Sequence, residues 1–549
     1  MNNLSNPVVN KIKSVLNHLK SNYSYERDEL EVKLINDIRL ALDIDNPIYV
    51  FESCIGLDRQ IAYLIAAIAH AQASNKKLVI STSHTAHLPG LIDKIERLNG
   101  AFGESFEYKV ISSEEEFSDV DVYITTHTRL TESVLLDEDS LIPSPNKAVY
   151  VIDEAHRLEE LVCARMKSSL TINNVLTLFE SVNVDTTQVE SVLLSIKGLL
   201  ASQHRSIFRR GSTHLFQFGV MPTELYDLLV KLQFLVAKIA ITNSEGETFA
   251  SLARSLIGLL SCFDGDTPIA KWVEYEGDYD YTISAQPISM VDVLQRRFWS
   301  NHSGVLLTSS SLQMVDGLSP TGRSFMRFLH SIGLNYSCCN VKSYQASNEV
   351  FEQCSIQVPK LPFQVTSDEF STWLRFNIFE YLNTSSTSLA LFTSYSMMDS
   401  VRNHIESACT SHGILIQCEG DRPVEEIIKF HNKALNQGFK SVIFGLTGYA
   451  DKLSNACSVE NLLIIRLPFL QPDEPHTKAK AEYEQSLGHL SFYTMSLPQV
   501  SIELAQSLYK IVNPKARSRC VVFDRRIVDK SYSDALLVAL PPIQMKVEN

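Results

Sequence analysis

Val149-Tyr150-Val151-Ile152-Asp153-Glu154-Ala155-His156 is the stretch from which the rest of this chain can be read. Four apolar residues form a buried strand, and two adjacent carboxylates arrive at its C-terminal edge, which packing alone does not explain. Carboxylates in that position bind metal. In phosphoryl-transfer sites the first holds magnesium and the second orients the attacking water. Asp153 is therefore the candidate metal ligand, and Asp153, Glu154 and His156 are candidate catalytic residues. The competing reading is an exposed acidic turn after a strand.

Outward from this segment, short apolar runs recur between helical patterns at Pro47–Phe51, Lys77–Thr82, Val120–Thr125, Ala148–Ile152 and Gly304–Thr308. A second series follows at Ser388–Thr393, Ile414–Gln417, Ser441–Leu446, Asn461–Leu467 and Arg519–Asp524. Such runs predict buried parallel strands, hence an α/β chain with two separate sheets. Between the series, Arg157 to Asp264 places apolar residues at helical spacing (Leu193, Leu194, Ile196, Leu199; Leu228, Leu229, Leu232, Leu235), with a loop at Thr242–Gly246, and predicts a helical insertion. The expected division is 1–156 with 265–345 as the first domain, 157–264 as the insertion and 346–549 as the second domain.

A chain of 549 residues is too long for one core, and 45% hydrophobic with 20% charged residues describes an ordinary globular protein. The formal charge of −14 disfavours unspecific attraction to phosphate backbones or anionic membranes, so any nucleic-acid site must be a local groove. No stretch approaches the roughly 20 apolar residues of a membrane helix, and the N-terminus lacks a signal-peptide pattern. No membrane association and a cytoplasmic location are expected. The 10 cysteines are scattered without a zinc-ligand spacing, which predicts buried reduced thiols. Cys338 and Cys339 are vicinal and read first as two small hydrophobes, with a redox-active pair as the alternative.

The first strand runs into Glu52-Ser53-Cys54-Ile55-Gly56-Leu57-Asp58-Arg59-Gln60 and then a helical pattern. Strand, tight loop and helix N-terminus form an architecture that cradles phosphate. A working cradle needs glycines, a lysine and a hydroxyl residue, and here only Gly56 remains. By itself the segment reads as an ordinary β–α turn.

Together these residues resemble the DinG/XPD branch of superfamily 2 DNA helicases. Asp153-Glu154-Ala155-His156 resembles the DEAH box. Tyr123-Ile124-Thr125-Thr126-His127 and Val305-Leu306-Leu307-Thr308-Ser309 are similar to two further helicase segments. Leu391-Phe392-Thr393-Ser394-Tyr395, Ile465-Arg466-Leu467-Pro468-Phe469, Ser496-Leu497-Pro498 and Asp524-Arg525-Arg526 follow in the family's order. The resemblance implies two RecA-like (P-loop NTPase-type) parallel-sheet domains, a helical arch-like insertion in the first, and use of ATP and Mg2+ if the site still works. It also implies a single-stranded DNA partner, with phosphate contacts from Thr125, Thr126, His127, Thr308, Ser309, Thr393 and Ser394. Those side chains serve equally as hydroxyls that satisfy strand ends.

The departures cluster at the nucleotide. Alignment on the family's phosphate loop places Asp58 on its last glycine, Arg59 on its lysine and Gln60 on its threonine. A carboxylate about 4 Å from a phosphate charge costs on the order of 4 kcal/mol at an effective dielectric near 20. Arg59 keeps the charge in a larger planar group, and Gln60 is a poorer magnesium ligand than a hydroxyl. The family's last motif falls on Gln506 to Asn513, where both arginines are replaced and Lys510 retains a charge. Asp451 to Ser454 departs likewise, and the glutamine expected around Arg27–Leu30 has no clear counterpart. The candidate cofactor-binding set is Gly56, Arg59, Gln60 and Gln506, with Lys510 as a catalytic candidate. No cysteine lies from Ile55 to Val162, so no iron-sulfur cluster is expected. Within the insertion, Arg205–Arg210 with Phe216 and Phe218 is a basic-aromatic cluster that reads first as a solvated helix end with buried phenylalanines, and second as a surface able to stack bases.

Three readings follow. The first is a DinG-like homologue that binds single-stranded DNA with weak or no ATP hydrolysis. The second is an active ATP-dependent 5'-3' DNA helicase with an atypical phosphate loop. The third is a protein scaffold in a nucleic-acid-processing or defence complex.

Overall fold

The computed structural model describes residues 7–23, 28–53, 58–102, 105–111, 118–137, 139, 141–180, 185–208, 212–242, 246–261, 269–278, 280–315, 322–345, 347–453, 457–513 and 516–548. Gly56, Arg209, Arg210, Ser454 and the centre of the Thr242–Gly246 loop lie outside them.

In chain order the strands are β1 (Ile48–Ser53), β2 (Lys77–Thr82), β3 (Tyr108–Val110), β4 (Val122–Thr126), β5 (Ala148–Asp153), β6 (Ser168–Thr171), β7 (Thr213–Phe216), β8 (Ile269–Gly277), β9 (Asp280–Pro287) and β10 (Val305–Ser309). They continue with β11 (Met314–Val315), β12 (Arg323–Ser324), β13 (Asn340–Tyr344), β14 (Cys354–Val358), β15 (Thr387–Phe392), β16 (Ile414–Cys418), β17 (Lys440–Leu446), β18 (Asn461–Ile464), β19 (Ser518–Val522) and β20 (Gln544–Val547).

The chain forms two compact units. The first contains Met1–Leu158, Val293–Phe469 and Ser496–Asn549, and carries two lobes. One lobe is built on a parallel sheet of order β13-β1-β10-β5-β2-β4-β3, the other on a parallel sheet of order β16-β17-β15-β18-β19-β14-β20. Every predicted run became a strand. In β1, β5, β10 and β15 every residue is buried, which is why each reads as a continuous apolar run.

Insertion of β10 between β1 and β5 sets the register of the first lobe: Phe51, Thr308 and Asp153 lie side by side, and Glu52 sits beside Ser309. This brings residues far apart in sequence to one C-terminal sheet edge, where open α/β sheets hold their ligands. The helix Arg59–Ser74 follows β1. Eleven of its residues are buried, from Arg59 to Ala71, because it lies against the sheet on one side and the helix Glu29–Leu42 on the other.

The second unit contains Glu159–Asp292 and Leu470–Met495. Its helices Thr187–Ile207, Thr223–Thr242 and Gly246–Leu260 bury Leu193, Ile196, Leu229 and Leu232, as the spacing predicts, while Leu194 is exposed. It also holds an antiparallel sheet of order β6-β9-β8-β7. The division therefore differs from the predicted 157–264. The long hairpin β8–β9 pairs with β6 and β7 and so leaves the first lobe for this unit. Helix Pro475–Ser486, expected in the second domain, packs Ala479 and Tyr483 against Ala270, Trp272 and Ile288 here. Phe208 is surrounded by the rings of His204, Tyr275 and Tyr281, and Phe216 is buried; Phe218 is exposed. Most of the aromatic part of the proposed base-stacking cluster is thus core.

Glu52 locks the site's floor. One carboxylate oxygen accepts the N–H groups of Leu312 (2.9 Å) and Gln313 (3.0 Å), and the other accepts the Ser343 hydroxyl at 2.7 Å. A Glu52→Ala variant leaves buried donors unpaired and is expected to lose about 2–4 kcal/mol, read as a lower urea midpoint at unchanged slope.

Candidate nucleotide and nucleic-acid site

Glu154 has a left-handed backbone (φ 55°, ψ 42°), uncommon for a residue with a Cβ and a form of strain that collects at functional sites. With the chain turned there, the carboxylates of Asp153 and Glu154 converge on one cation. Arg59 Nη2 lies 2.8 Å from Asp153 Oδ1 and 2.5 Å from Glu154 Oε1, while Nη1 donates to Ser310 Oγ at 3.0 Å. Arg59 and Tyr63 are one helical turn apart on the same face. Tyr63 Oη donates to Asp153 Oδ2 at 3.1 Å, and Gln60 Nε2 reaches the same oxygen at 3.0 Å. The Glu154 N–H closes the set on Oδ1 at 3.0 Å.

Each Asp153 oxygen thus accepts two hydrogen bonds, which uses the roughly four acceptor positions of a carboxylate. Burial pushes the Asp153 carboxyl up, but Arg59, Gln60 and Tyr63 hold it below the usual value. Burial likewise opposes the Arg59 charge, and Asp153 and Glu154 more than restore it. The family implies ATP and Mg2+. These residues do not fit the ion: the candidate ligand has no free lone pair, and the cation nearest to it is the protein's own.

Asp58, read from the sequence as repelling phosphate, caps the helix Arg59–Ser74 by accepting the Ile61 N–H at 3.2 Å, and pairs with Lys94 at 2.7 Å. A carboxylate therefore occupies the anion-attracting N-terminus of that helix. Lys94 also donates to Gln60 Oε1 at 2.9 Å. Glu31, the residue after Arg27–Leu30 where the family's glutamine is expected, is buried with Oε1 unpartnered among the described residues. Burial, with Asp58 nearby, pushes its carboxyl up to about 7.

On the opposite wall, Gln506 Nε2 donates to Ser309 Oγ (2.9 Å) and the Ser311 carbonyl (3.2 Å). Lys510 Nζ donates to the Leu453 carbonyl, and burial pulls its pKa down. His156 bridges Ser309 Oγ at 2.8 Å and Asp451 Oδ2 at 2.9 Å. The structure therefore brings Arg59, Gln60, Asp153, Glu154, His156, Gln506 and Ser309 into one network. Asp451, noted from the sequence only as part of a departing family segment, joins it, as do Arg157, Glu503, Tyr63 and Lys94, to which the sequence reading gave no site role. Among these four, the helical spacing of Arg59 and Tyr63 is the one local signal.

The candidate DNA contacts are divided. Thr125, His127, Thr308 and Ser309 are fully buried. The hydroxyls of Thr125 and Thr308 have no hydrogen-bond partner among the described residues. Thr126 caps the short helix His127–Leu130 and Ser394 the long helix Tyr395–Ser411, accepting the N–H groups of Arg129 and Met397 at 3.3 Å each. Thr393, Ser394 and Thr126 are partly exposed, which leaves these three nearest to solvent.

His127 hydrogen-bonds Ser81 Oγ at 2.7 Å, and burial pushes its imidazole down to about 3, with Asp153, His156 and His84 nearby. Because the folded pKa lies below the unfolded value near 6.5, the unfolded chain binds the extra proton, and stability falls as pH drops through that interval. Wild type is expected to lose about 2 kcal/mol more between about pH 6.5 and pH 5 than His127→Gln, read from urea midpoints at each pH.

Residues 378–543 match the family described as the helicase C-terminal domain. The ATP-dependent DNA helicase DinG of Photobacterium profundum is 23% identical over 490 residues, covering 79% of this chain and 70% of that protein. DinG of Salmonella typhimurium is 22% identical over 496 residues, covering 78% and 67%. Among solved structures, Xpd4 of S. tokodaii covers 95% of this chain and 100% of its own at a TM-score of 0.62 with 14% identity, which shows a shared fold. The two parallel-sheet lobes, the ordered segments along their edges and these similarities together make the chain a DinG-like helicase homologue.

Proposed function

We propose that this protein holds single-stranded DNA on its two-lobed helicase frame and hydrolyses ATP weakly or not at all. The observation that carries this reading is the position of Arg59: the residue aligned with the phosphate-loop lysine is turned into Asp153 and Glu154, the carboxylates that magnesium and water would require. Charge supports it. Around the cradle Arg59, Arg157 and Lys510 face Asp153, Glu154, Asp451 and Glu503, so carboxylates outnumber cations where a polyanion would have to bind. With the arginines of the last motif replaced, the charge that stabilises a transferring phosphoryl group is also missing, and one such arginine is worth roughly three to five decades in rate.

DNA as the partner follows from the relatives, which are described as DNA helicases. Thr126, Thr393 and Ser394 are the candidate phosphate contacts. No helix among the described residues is long and apolar enough to cross a membrane, and a cytoplasmic site of action fits the relatives. A second reading, slow ATP-dependent 5'-3' helicase action, is favoured by the survival of Asp153-Glu154-Ala155-His156 in place.

The deciding measurement is phosphate release with and without a single-stranded oligonucleotide, comparing wild type with Glu154→Gln. No stimulated release above the Glu154→Gln background is expected. Stimulation that the variant abolishes would establish the helicase reading instead. In parallel, a labelled oligonucleotide should bind without nucleotide and weaken with added salt, because phosphate contacts release counterions.

A further inference from the structure

Beside the self-occupied cradle lies a second cluster of buried charge, and it runs from one lobe to the other. Arg157, 7% exposed, follows the last acidic segment of the first lobe. Its Nε and Nη2 donate to Asp451 Oδ2 at 2.9 and 2.6 Å, and its Nη1 and Nη2 donate to Glu503 Oε1 and Oε2 at 2.6 and 2.8 Å. Both carboxylates belong to the second lobe. Glu503 lies on the helix Leu497–Tyr509, and Asp451 on the short helix Tyr449–Lys452. Gly448 makes the room: a Cβ there would stand 3.1 Å from Arg157 Nη2, and its φ of +86° is one that glycine tolerates.

Other contacts cross in the same place. His156 reaches Asp451 Oδ2 at 2.9 Å, His87 Nε2 meets the Asp451 carbonyl at 2.6 Å, and Thr85 Oγ1 donates to Glu425 at 2.7 Å. Gln499 Nε2 supports Glu503 at 2.9 Å. Burial pushes the Asp451 carboxyl up, and Arg157 and His156 hold it well below the usual range, so it stays charged in the seam.

We propose that Arg157, Asp451 and Glu503 form a nucleotide-independent tie that keeps the two lobes closed on each other. A planar guanidinium binding one carboxylate in a fork while touching a second is the strongest form of charged hydrogen bond. A ligand shifts a two-state equilibrium only by its difference in affinity for the two states. Here the groups that would reward a triphosphate for closing the cleft already serve protein acceptors: Arg59 on Asp153 and Glu154, Gln506 on Ser309, and Lys510 on Leu453. Lobe closure is then set by the chain's own charges. The proposal rests on the cradle being self-occupied, as read above, and adds that the frame is held in one closed state.

The test places nitroxide labels on Asp93→Cys in the first lobe and Glu406→Cys in the second, both more than half exposed, with Cys54, Cys262, Cys338 and Cys339 replaced by serine. Electron–electron double resonance then reads the distance between lobes. The tie predicts one narrow distribution that is the same with and without Mg-ATP, and that broadens in Arg157→Met and in the gentler Asp451→Asn. A broad distribution in the nucleotide-free protein, contraction on adding Mg-ATP, or no broadening in either variant overturns it. Phosphate release from the same labelled sample separates the two ideas. Turnover with an unchanged narrow distribution would defeat the non-hydrolysing reading and leave the tie standing; a broad distribution without turnover would defeat the tie alone.

Discussion

The contact on which the rest of the site depends is the guanidinium of Arg59 held between Asp153 and Glu154. Two adjacent carboxylates at a buried sheet edge cannot both remain charged without a cation. A dissolved metal or a side chain can supply it, and here the side chain of Arg59 does. Once a side chain fills that role, its surroundings rearrange around it. Gln60 and Tyr63 complete the hydrogen bonding of Asp153, Ser310 takes the far side of the guanidinium, and Asp58 turns to cap the helix and hold Lys94. Apart from Arg59 Nε, which is buried without a partner among the described residues, these groups find their hydrogen bonds within the protein.

That change has a mechanical consequence. In a pair of parallel-sheet lobes the cleft is the place where chemistry can be coupled to movement, because a ligand in it can touch both walls. The cleft of this chain is bridged by Arg157, His156 and Gln506, whose partners are protein atoms on the opposite lobe. The framework that would transmit motion is intact, down to the register that lines up Phe51, Thr308 and Asp153. Buried ion pairs line that cleft: Arg59 with Asp153 and Glu154, and Arg157 with Asp451 and Glu503.

Legibility followed locality. The central strands were readable because a strand buried on both faces must be apolar along its whole length, and Ala148 to Ile152 or Thr387 to Phe392 admit little else. The outer strands β3, β13 and β20 escaped notice. They are short and half exposed, as in Asn340-Val341-Lys342-Ser343-Tyr344, and their mixed composition resembles a loop. The border of the insertion escaped for a related reason: the β8–β9 hairpin has an ordinary strand pattern, and nothing within it tells which sheet it will join. Thr125 and Thr308 lie one residue from the C-terminal ends of their strands, and their complete burial depends on neighbours contributed by other elements.

The order of residues alone carried two parallel sheets, the resemblance to DinG-like helicases and the departures of residues 52–60 from the phosphate-loop pattern, since each of these lies in short runs of neighbouring residues. Where Arg59 would point was a different kind of question. Its charge agrees equally well with a phosphate or with a carboxylate, and its partner Asp153 lies 94 positions away. Arg157 and Glu503, 346 positions apart, meet only because the two sheets come together at their edges. Strand and helix patterns are local consequences of burial and periodicity, whereas the pairing of buried charges is settled by folding, when water is removed and each ion must find its counterpart within reach.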